Sequence, residues 1–220
     1  MHRRTSSDGS RLRPEHHVAV ITGASQGLGR AFAEHCARLG IDLVLVALPD
    51  SGLPRVAQGI KLLYDVKTHW FEMDLTQAGQ VEKLVEAIAD TGLGGVSILI
   101  NNAGVGYNSR FEDSRLGENE SCVLLNNLAL IKITHLLLPE LKRRPEAFVL
   151  NVSSLAAFFP MPYMPVYGPS KTFILNFSIA LREEMRRTGG ECQCPVSERH
   201  PDQPGVPGED RGPRVNRCAG

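Results

Sequence analysis

The sequence predicts an α/β protein whose doubly wound parallel sheet ends after its fifth strand and the helix that follows it. Three observations lead to this fold class: β-branched runs alternate with segments of helical periodicity, a glycine-rich turn follows the first run, and both patterns stop near residue 188. Alternating strands and helices are typical of parallel sheets, because parallel neighbours need a crossover connection. We therefore expect a disordered basic arm over residues 1–15, one folded domain over 16–188 and a disordered tail over 189–220.

The first predicted unit is a strand over residues 17–22, a glycine turn and a helix that ends near Gly40. Gly23 permits a tight turn, Gly27 lets the backbone approach a pyrophosphate, and Gly29 lets the helix pack closely on the strand. The N–H groups at the start of the helix would then face the anion. An ordinary turn between strand and helix is the alternative, but three glycines at this spacing favour a dinucleotide site.

The second predicted strand, residues 41–47, bears on the choice of nucleotide. In such units the residue that ends this strand meets the adenosine ribose, where an acid favours NAD and a base favours NADP. Ala47 and Leu48 are neither, and Asp50 either reaches the ribose or lies in a solvated turn. The sequence leaves the choice open, with a slight preference for NADP because no acid ends the strand.

The third strand, residues 68–73, is followed by Asp74, which either bonds the adenine amine or caps the next helix. Capping is the simpler interpretation. The fourth strand, residues 96–100, ends at Asn101 and Asn102. Amide side chains at a strand end either satisfy neighbouring backbone groups or contact a ligand.

A polar loop over residues 107–120 precedes a long amphipathic helix predicted over about 121–143. Asn126 and Asn127 lie inside this helix, although asparagine disfavours helix interiors. The pair either faces solvent or bends the helix locally to hold a water molecule.

The fifth strand, residues 147–154, ends at Ser154, and a further helix begins at Tyr167. Lys171 lies one turn after Tyr167, so the two side chains share one face of that helix. A phenol beside a cation suits proton transfer to or from an alcohol or carbonyl, because the cation favours the ionised phenol. A Tyr-x-x-x-Lys pair alone is a weak signal, since most such pairs belong to a surface or a core.

Composition narrows the classes of partner. The chain has 220 residues, 42% hydrophobic and 22% charged, as is usual for a soluble globular protein. Lys and Arg together number 24, as do Asp and Glu, so charge gives no reason to expect nucleic acid or an acidic membrane. No uninterrupted apolar run has the length of a membrane span. The five cysteines form no disulfide framework, which favours a reducing, cytoplasmic location.

Taken together, the glycine turn from Thr22 to Gly29, the run Asn101 to Gly104, Ser154 and the pair Tyr167 and Lys171 resemble the short-chain dehydrogenase/reductase family. The resemblance covers about residues 16 to 188, with the motifs in the family's order and spacing. It implies a Rossmann-like fold and hydride transfer between a nicotinamide cofactor, NADP or NAD, and a small-molecule carbonyl or alcohol substrate. A truncated relic that binds cofactor or dimerises without catalysis is the alternative.

The resemblance also implies residue roles. Tyr167 would be the general acid/base, Lys171 would lower its pKa and bind the nicotinamide ribose, Ser154 would orient the substrate oxygen, and Asn126 would support a proton-relay water. Asn127 is the second candidate for that last role. The residues expected to contact the cofactor are Gly23, Ser25, Gln26, Gly27, Leu28, Gly29, Asp74, Asn101, Ala103, Tyr167 and Lys171. Family members commonly pair through their two long helices, which implies a homodimer.

The sequence departs from the family near Thr188. The family continues into a sixth strand and a Pro-Gly turn over the nicotinamide, whereas residues 188–220 are rich in proline, glycine and charge and show no periodicity. Reading the codons from Gly190 one base late permits Val-Ser-Val-Ser-Val-Leu-Cys-Pro-Asn-Gly-Ile-Arg-Thr-Asn, which resembles the missing strand and turn. We therefore expect a shifted reading frame. The cysteines of this tail match no common zinc spacing, and we expect no metal site.

Overall fold

The computed structural model describes residues 17–186, 191–193 and 196–197. The predicted basic arm and most of the predicted tail lie outside these residues. The strands are β1 (Val18–Thr22), β2 (Asp42–Ala47), β3 (Thr68–Glu72), β4 (Ile98–Asn101), β5 (Phe148–Asn151), β6 (Ser153–Ser154), β7 (Glu191–Gln193) and β8 (Val196–Ser197). The α-helices are α1 (Gly27–Arg38), α2 (Leu53–Tyr64), α3 (Gln80–Ala89), α4 (Leu116–Val123), α5 (Leu130–Leu141) and α6 (Tyr167–Arg186).

The main sheet is parallel, with the strand order β3-β2-β1-β4-β5-β7. This is the doubly wound order, in which the chain reverses direction across the sheet between β1 and β4 and leaves a crevice at the carboxyl ends of these strands. The predicted fold class is therefore confirmed. The crevice is where the glycine turn, the double asparagine and Ser154 all follow their strands.

Both faces of the sheet are covered by helices, and alternate residues of one strand serve opposite faces. Val18 and Val20 pack in a core cluster with α3, α5 and α6. Ala19 and Ile21 pack in a second cluster with α1 and α2. Since side chains alternate across a strand, a sheet buried on both faces needs apolar residues on both, and residues 18–21 of β1 and 43–47 of β2 have this continuous apolar pattern.

The prediction that no strand follows the fifth was wrong for residues 191–193. These residues form β7, which pairs with β5 through the register Phe148 to Glu191 and Leu150 to Gln193. Strand β8 similarly pairs with β6. The exposed edge of β5 offers a row of backbone N–H and C=O groups, and a few extended residues can pair with it whatever their side chains. The composition of the tail therefore did not prevent a short strand.

The helix predicted over 121–143 also differs from the structure. It begins earlier, at Leu116, ends at Leu141, and contains a π-helical segment over Leu124–Ala129 between α4 and α5. The first turn of α4 has a single apolar residue, the exposed Leu116, followed by Gly117, Glu118 and Asn119, so it has no apolar periodicity by which the sequence could indicate it. Both asparagines lie in the π-helical segment, so the helix is locally irregular at this pair. The water that the pair was expected to hold stays a prediction.

The continuous stretch Leu116–Leu141 has 26 residues, and its most apolar 18-residue part has a mean hydropathy of 1.6, which is long and apolar enough to cross a membrane. A core helix of a globular domain meets the same criteria of length and composition. In this structure 44% of its most apolar window is buried, and Ile133, Leu137 and Leu141 belong to the core beneath the sheet.

Candidate active site

The glycine turn lies at the carboxyl end of β1. Gly23 and Gly27 have φ angles of 68° and 55°, a backbone region that glycine enters without strain. A Cβ at Gly29 would collide with the carbonyl oxygen of Gly23, so Gly29 permits the close packing of helix on strand that the sequence predicts. A Cβ at Gly27 would meet nothing within 4 Å. Open space therefore lies in front of the first turn of α1.

The N-terminus of α1 can receive an anion. Gln26 precedes the helix in an extended conformation and makes no side-chain cap hydrogen bond, and the first turn contains no acidic residue. Ser25 and Leu28 are half-buried beside it, whereas Gln26 is exposed. Uncapped N–H groups at a helix N-terminus attract phosphate. These residues fit the pyrophosphate of a dinucleotide.

Asn102 ties the glycine turn to the end of β4. Its Nδ2 donates to the carbonyl oxygens of Thr22, at 2.9 Å, and Gly23, at 3.1 Å. In return, the backbone N–H groups of Asn102 and Ala103 both donate to Thr22 Oγ1 at 3.0 Å. Asn102 therefore fixes the turn in place, and Ala103 lies directly beside it.

The Asn101 side chain lies beneath the sheet and not in the crevice. It is 4% exposed, and its Nδ2 donates to Thr134 Oγ1 at 3.0 Å and to Asn151 Oδ1 at 2.8 Å. Asn151 in turn donates to Ser178 on α6 at 3.0 Å. The network links β4 and β5 to α5 and α6, so the Asn101 side chain has a structural role. Its backbone carbonyl oxygen accepts from Val152 N at 2.9 Å, and the cofactor contact expected of this residue stays a prediction.

Asp74 closes a turn at the end of β3. Its Oδ1 accepts from Thr76 N at 3.0 Å and Thr76 Oγ1 at 2.7 Å, and its Oδ2 accepts from Gln77 Nε2 at 3.2 Å. Burial alone would raise the pKa of Asp74, but the hydrogen bonds from Thr76 and Gln77 outweigh it and lower the pKa. The residue that immediately precedes α3 is Gly79, so Asp74 stabilises the preceding turn and does not cap that helix.

The structure brings Ser154, Tyr167 and Lys171 together at the carboxyl edge of the sheet, each at most 6% exposed. The Lys171 ammonium lies 5.7 Å from the centre of the Tyr167 ring and donates to the Val152 carbonyl oxygen at 3.0 Å. Ser154 Oγ accepts from Ala156 N at 3.2 Å, which orients the hydroxyl so that its proton can be donated elsewhere. Three of the four predicted catalytic residues therefore lie at the same edge of the sheet, and Asn126 is the fourth.

Asn126 is fully buried and connects the loop after β4 to α6. Its Oδ1 accepts from Val105 N and its Nδ2 donates to Val105 O, both at 2.9 Å. Its Nδ2 also lies 3.0 Å from Ser170 Oγ, which itself donates to the Tyr167 carbonyl oxygen at 2.7 Å. Asn126 thus fixes the position of the helix turn that carries Tyr167 and Lys171.

Asn127 reaches the same turn, because its Nδ2 donates to the Ser170 carbonyl oxygen at 2.9 Å. The interpretation that the pair faces solvent is therefore wrong. In a π-helix each backbone N–H bonds five residues back, which changes the direction of the side chains and often marks a functional site. The π-helical segment allows two consecutive asparagines to contact one residue of α6.

Sequence reasoning missed three contributors to this site: Thr22 and Asn102 as a structural pair, and Ser170 as the common partner of the two asparagines. Asn102 could have been distinguished from Asn101 by strand alternation, since neighbouring residues point to opposite faces. No local signal identifies Ser170, because its partners lie 43 and 44 residues away in sequence.

Cys122 also lines the site, where its Sγ lies 3.3 Å from Asn126 Nδ2. Burial raises the pKa of its thiol, and the hydrogen bond to Ser170 and the charge of Lys171 offset this only in part. Burial raises the pKa of Cys36 to about 12. Both thiols are therefore protonated at neutral pH, and neither of these two described cysteines forms a disulfide.

The family model for short chain dehydrogenases matches residues 17–195. Among curated relatives, the very-long-chain 3-oxoacyl-CoA reductase of Macaca fascicularis is 34% identical over 175 residues, covering 78% of this chain and 55% of the relative. The chain thus spans about half the length of the curated relatives that it matches.

Two solved structures are similar to the fold. A bulky-bulky ketone specific alcohol dehydrogenase from Comamonas testosteroni superposes with a TM-score of 0.77 at 29% identity, covering 83% of this chain and 72% of that one. A short-chain dehydrogenase from Sphingobium yanoikuyae, solved with NADPH, gives a TM-score of 0.76 at 29% identity, covering 82% and 70%. The match over residues 17–195, together with the site geometry, shows that the chain belongs to the short-chain dehydrogenase/reductase family.

Proposed function

We propose that this chain is an NAD(P)-dependent oxidoreductase that reduces a carbonyl compound or oxidises the corresponding alcohol. The observation that carries the proposal is the buried group of Ser154, Tyr167 and Lys171 at the carboxyl edge of the sheet, with the ammonium 5.7 Å from the phenol ring. Its position beside the glycine turn, at the reversal point of the sheet, supports a nucleotide partner.

Tyr167, Lys171 and Ser154 each have a separate role in the proposed reaction. The bound nicotinamide supplies or accepts the hydride. Tyr167 donates a proton to the carbonyl oxygen during reduction and accepts it during oxidation, and the Lys171 cation favours the ionised phenol in the second case. The Ser154 hydroxyl donates a hydrogen bond to the substrate oxygen and thereby holds it near Tyr167.

The glycine turn, the N-terminus of α1 and Ala103 would hold the cofactor, and we propose NADP over NAD. The preference rests on the end of β2, where Ala47 is buried and Leu48 is exposed, so no carboxylate follows the strand directly to repel a ribose phosphate. The related Sphingobium enzyme contains NADPH. Calorimetric titration with NADPH and NADH tests the preference, and equal affinities for the two would contradict it.

The catalytic proposal is tested with purified protein, NADPH and a panel of ketones and aldehydes, following nucleotide oxidation. Wild type should consume NADPH, and Tyr167→Phe should lower kcat by at least about a hundredfold, since positioned general acids contribute this much. Tyr64→Phe, on α2 outside the site, is the matched control and should retain activity. Nucleotide binding without turnover of any substrate would instead favour a cofactor-binding relic.

We also propose a homodimer. Along the helices predicted to pair, Val123, Leu128, Leu136, Phe173 and Ile179 are each at least 39% exposed, and Phe173 stacks on Phe177 with ring centres 6.0 Å apart. Exposed apolar groups on adjacent helices favour association with a second copy. Light scattering should give twice the monomer mass, and Ile179→Lys should reduce it. A well-folded wild-type protein with the monomer mass would contradict the proposed homodimer.

We propose a cytoplasmic location with neither membrane nor nucleic acid as partner. Equal numbers of acidic and basic residues support the absence of a nucleic-acid partner. The two buried, unpaired thiols of Cys36 and Cys122 suit a reducing compartment. Fractionation of expressing cells checks the location, and recovery with the membrane pellet would contradict it.

A further inference from the structure

Tyr163, four residues before Tyr167, has an unusual backbone conformation. Its φ angle is 68°, and for a bulky residue other than glycine this left-handed region is strained. The other described residues of this kind are Asp50 and Asp65, whose short polar side chains tolerate the region better. Strain of this type persists only where the surroundings enforce it, and it is concentrated at functional sites.

Two contacts enforce the conformation. The Tyr163 carbonyl oxygen accepts from Ser109 N at 3.0 Å, which joins the loop before α6 to the loop after β4. The next residue, Met164, is 3% exposed and packs with Ala156 and Tyr167. The left-handed turn therefore places Met164 in the core and leaves Tyr163 at the surface.

The two joined loops border a cleft beside the catalytic tyrosine. Tyr107, Ser109, Cys122, Tyr163 and Tyr167 line it, and its cavity volume is about 10 Å³. This is close to the space of one water molecule, so the apolar group of a ketone would pack over the residues that border the cleft and not inside it. Tyr163 is 57% exposed, so its ring is accessible to a substrate at the surface of the cleft.

The segment between Ser154 and Tyr167 is otherwise apolar at its surface. Its exposed side chains include Leu155 at 44%, Phe158 at 53%, Phe159 at 65% and Met161 at 43%. Such a concentration of exposed apolar groups within seven residues is unusual unless they meet a ligand or a partner. Their position directly after Ser154 favours the apolar part of the carbonyl substrate.

We propose that Tyr163 is a substrate-contacting residue that selects carbonyl compounds bearing a bulky apolar group, and that the hydrogen bond from Ser109 holds its strained backbone in place. This inference rests on the proposed oxidoreductase function. The substrate's apolar group packs on the Tyr163 ring while its carbonyl oxygen lies between Ser154 and Tyr167.

The strain is tested without any ligand, by comparing glycine and alanine at this position. At an ordinary position glycine is less stable than alanine, whereas at a positive φ the order reverses. Tyr163→Gly should therefore melt higher than Tyr163→Ala, by about 2–4 °C. Met161→Gly and Met161→Ala, in the same loop but outside this conformation, should show the opposite order. If Tyr163→Gly melts at a lower temperature than Tyr163→Ala, the proposed backbone strain at Tyr163 is wrong.

The preference for a bulky apolar substrate is tested with benzylacetone and butanone, which differ by an aromatic group. Wild type should favour benzylacetone in kcat/KM, and Tyr163→Ala should reduce that preference about tenfold, while Tyr163→Phe retains it. An unchanged preference in Tyr163→Ala overturns the proposal even though the oxidoreductase function stands.

Calorimetric titration of benzylacetone into the NADPH-loaded protein separates the two proposals. If no ketone is reduced, weaker benzylacetone binding to Tyr163→Ala than to wild type still supports the contact between Tyr163 and the substrate. The absence of turnover then contradicts only the proposed reaction. Equal binding to both proteins, or binding to neither, overturns the contact.

Discussion

At the scale of single residues, Asn126 is expected to affect both stability and activity. Asn126→Ala leaves Val105 N–H, Val105 C=O and the Ser170 hydroxyl without this buried partner. Each buried polar group that loses its partner costs about 1–3 kcal/mol, so we expect a loss of about 3 kcal/mol in urea unfolding. Nucleotide turnover should fall with it, because the turn that carries Tyr167 and Lys171 is no longer fixed.

Ser170→Ala is the matched comparison for Asn126→Ala. It removes one hydroxyl and leaves both hydrogen bonds between Asn126 and Val105 intact, so the loss should be about 1 kcal/mol. A stability loss in Asn126→Ala no larger than in Ser170→Ala would contradict the central role of Asn126.

The charge on Asp74 should contribute to stability in a pH-dependent way. Because its folded-state pKa is lowered, the contribution is present above the unfolded value of about 4 and is lost as pH falls through the folded value. At pH 7, Asp74→Asn should be less stable by about 0.5–1 kcal/mol, a small figure because solvent screens this partly exposed carboxylate. Urea unfolding of both proteins should show the difference narrowing below about pH 4, and a constant difference would exclude a charge effect.

At the scale of elements, the π-helical segment Leu124–Ala129 can be tested by deletion. A π-helical turn holds one residue more than an α-helical turn, so deleting Leu128, which is 42% exposed, should restore a continuous α-helix with both flanks in place. We expect retained helical circular dichroism but lost activity, since the two asparagines no longer both reach Ser170.

Deletion of Leu136, which is 39% exposed in α5, is the control. One residue removed from a regular α-helix rotates the following part by about 100°, which would move Leu137 and Leu141 out of the core and unfold the protein. If both deletions unfold the chain equally, the extra residue of the π-helical segment is not what allows both asparagines to reach Ser170.

At the scale of the whole molecule, the shifted reading frame near Gly190 stays a prediction. Strand β7 shows that residues 191–193 can occupy the edge of β5, but most residues beyond it lie outside the described part of the chain. Sequencing the coding DNA decides the matter. Removal of one base near codon 190 should open a reading frame that encodes an alternating strand, a Pro-x-Gly turn and further sequence. A stop codon in that frame before the turn would contradict the hypothesis.

The sequence by itself determined the alternation of strands and helices, the end of α1 just before Gly40 and the order of the glycine turn, Ser154, Tyr167 and Lys171. These features follow from interactions within a few residues. The reversal at Gly40, for example, needs only a positive φ of 75° and hydrogen bonds to Cys36 and Ala37. Features that depend on local periodicity and turn chemistry can therefore be predicted from the sequence without knowledge of the fold.

Only the tertiary structure decided which asparagine served which purpose. Asn101 and Asn102 are neighbours with equal hydrogen-bonding capacity, yet one is buried against Asn151 and the other holds Thr22, 80 residues away in sequence. The same holds for Asn126 and Asn127 on Ser170, and for Tyr163, whose φ angle depends on a bond from Ser109. Contacts between distant segments form only when the sheet has set the positions of the loops, and no pattern within one segment encodes them.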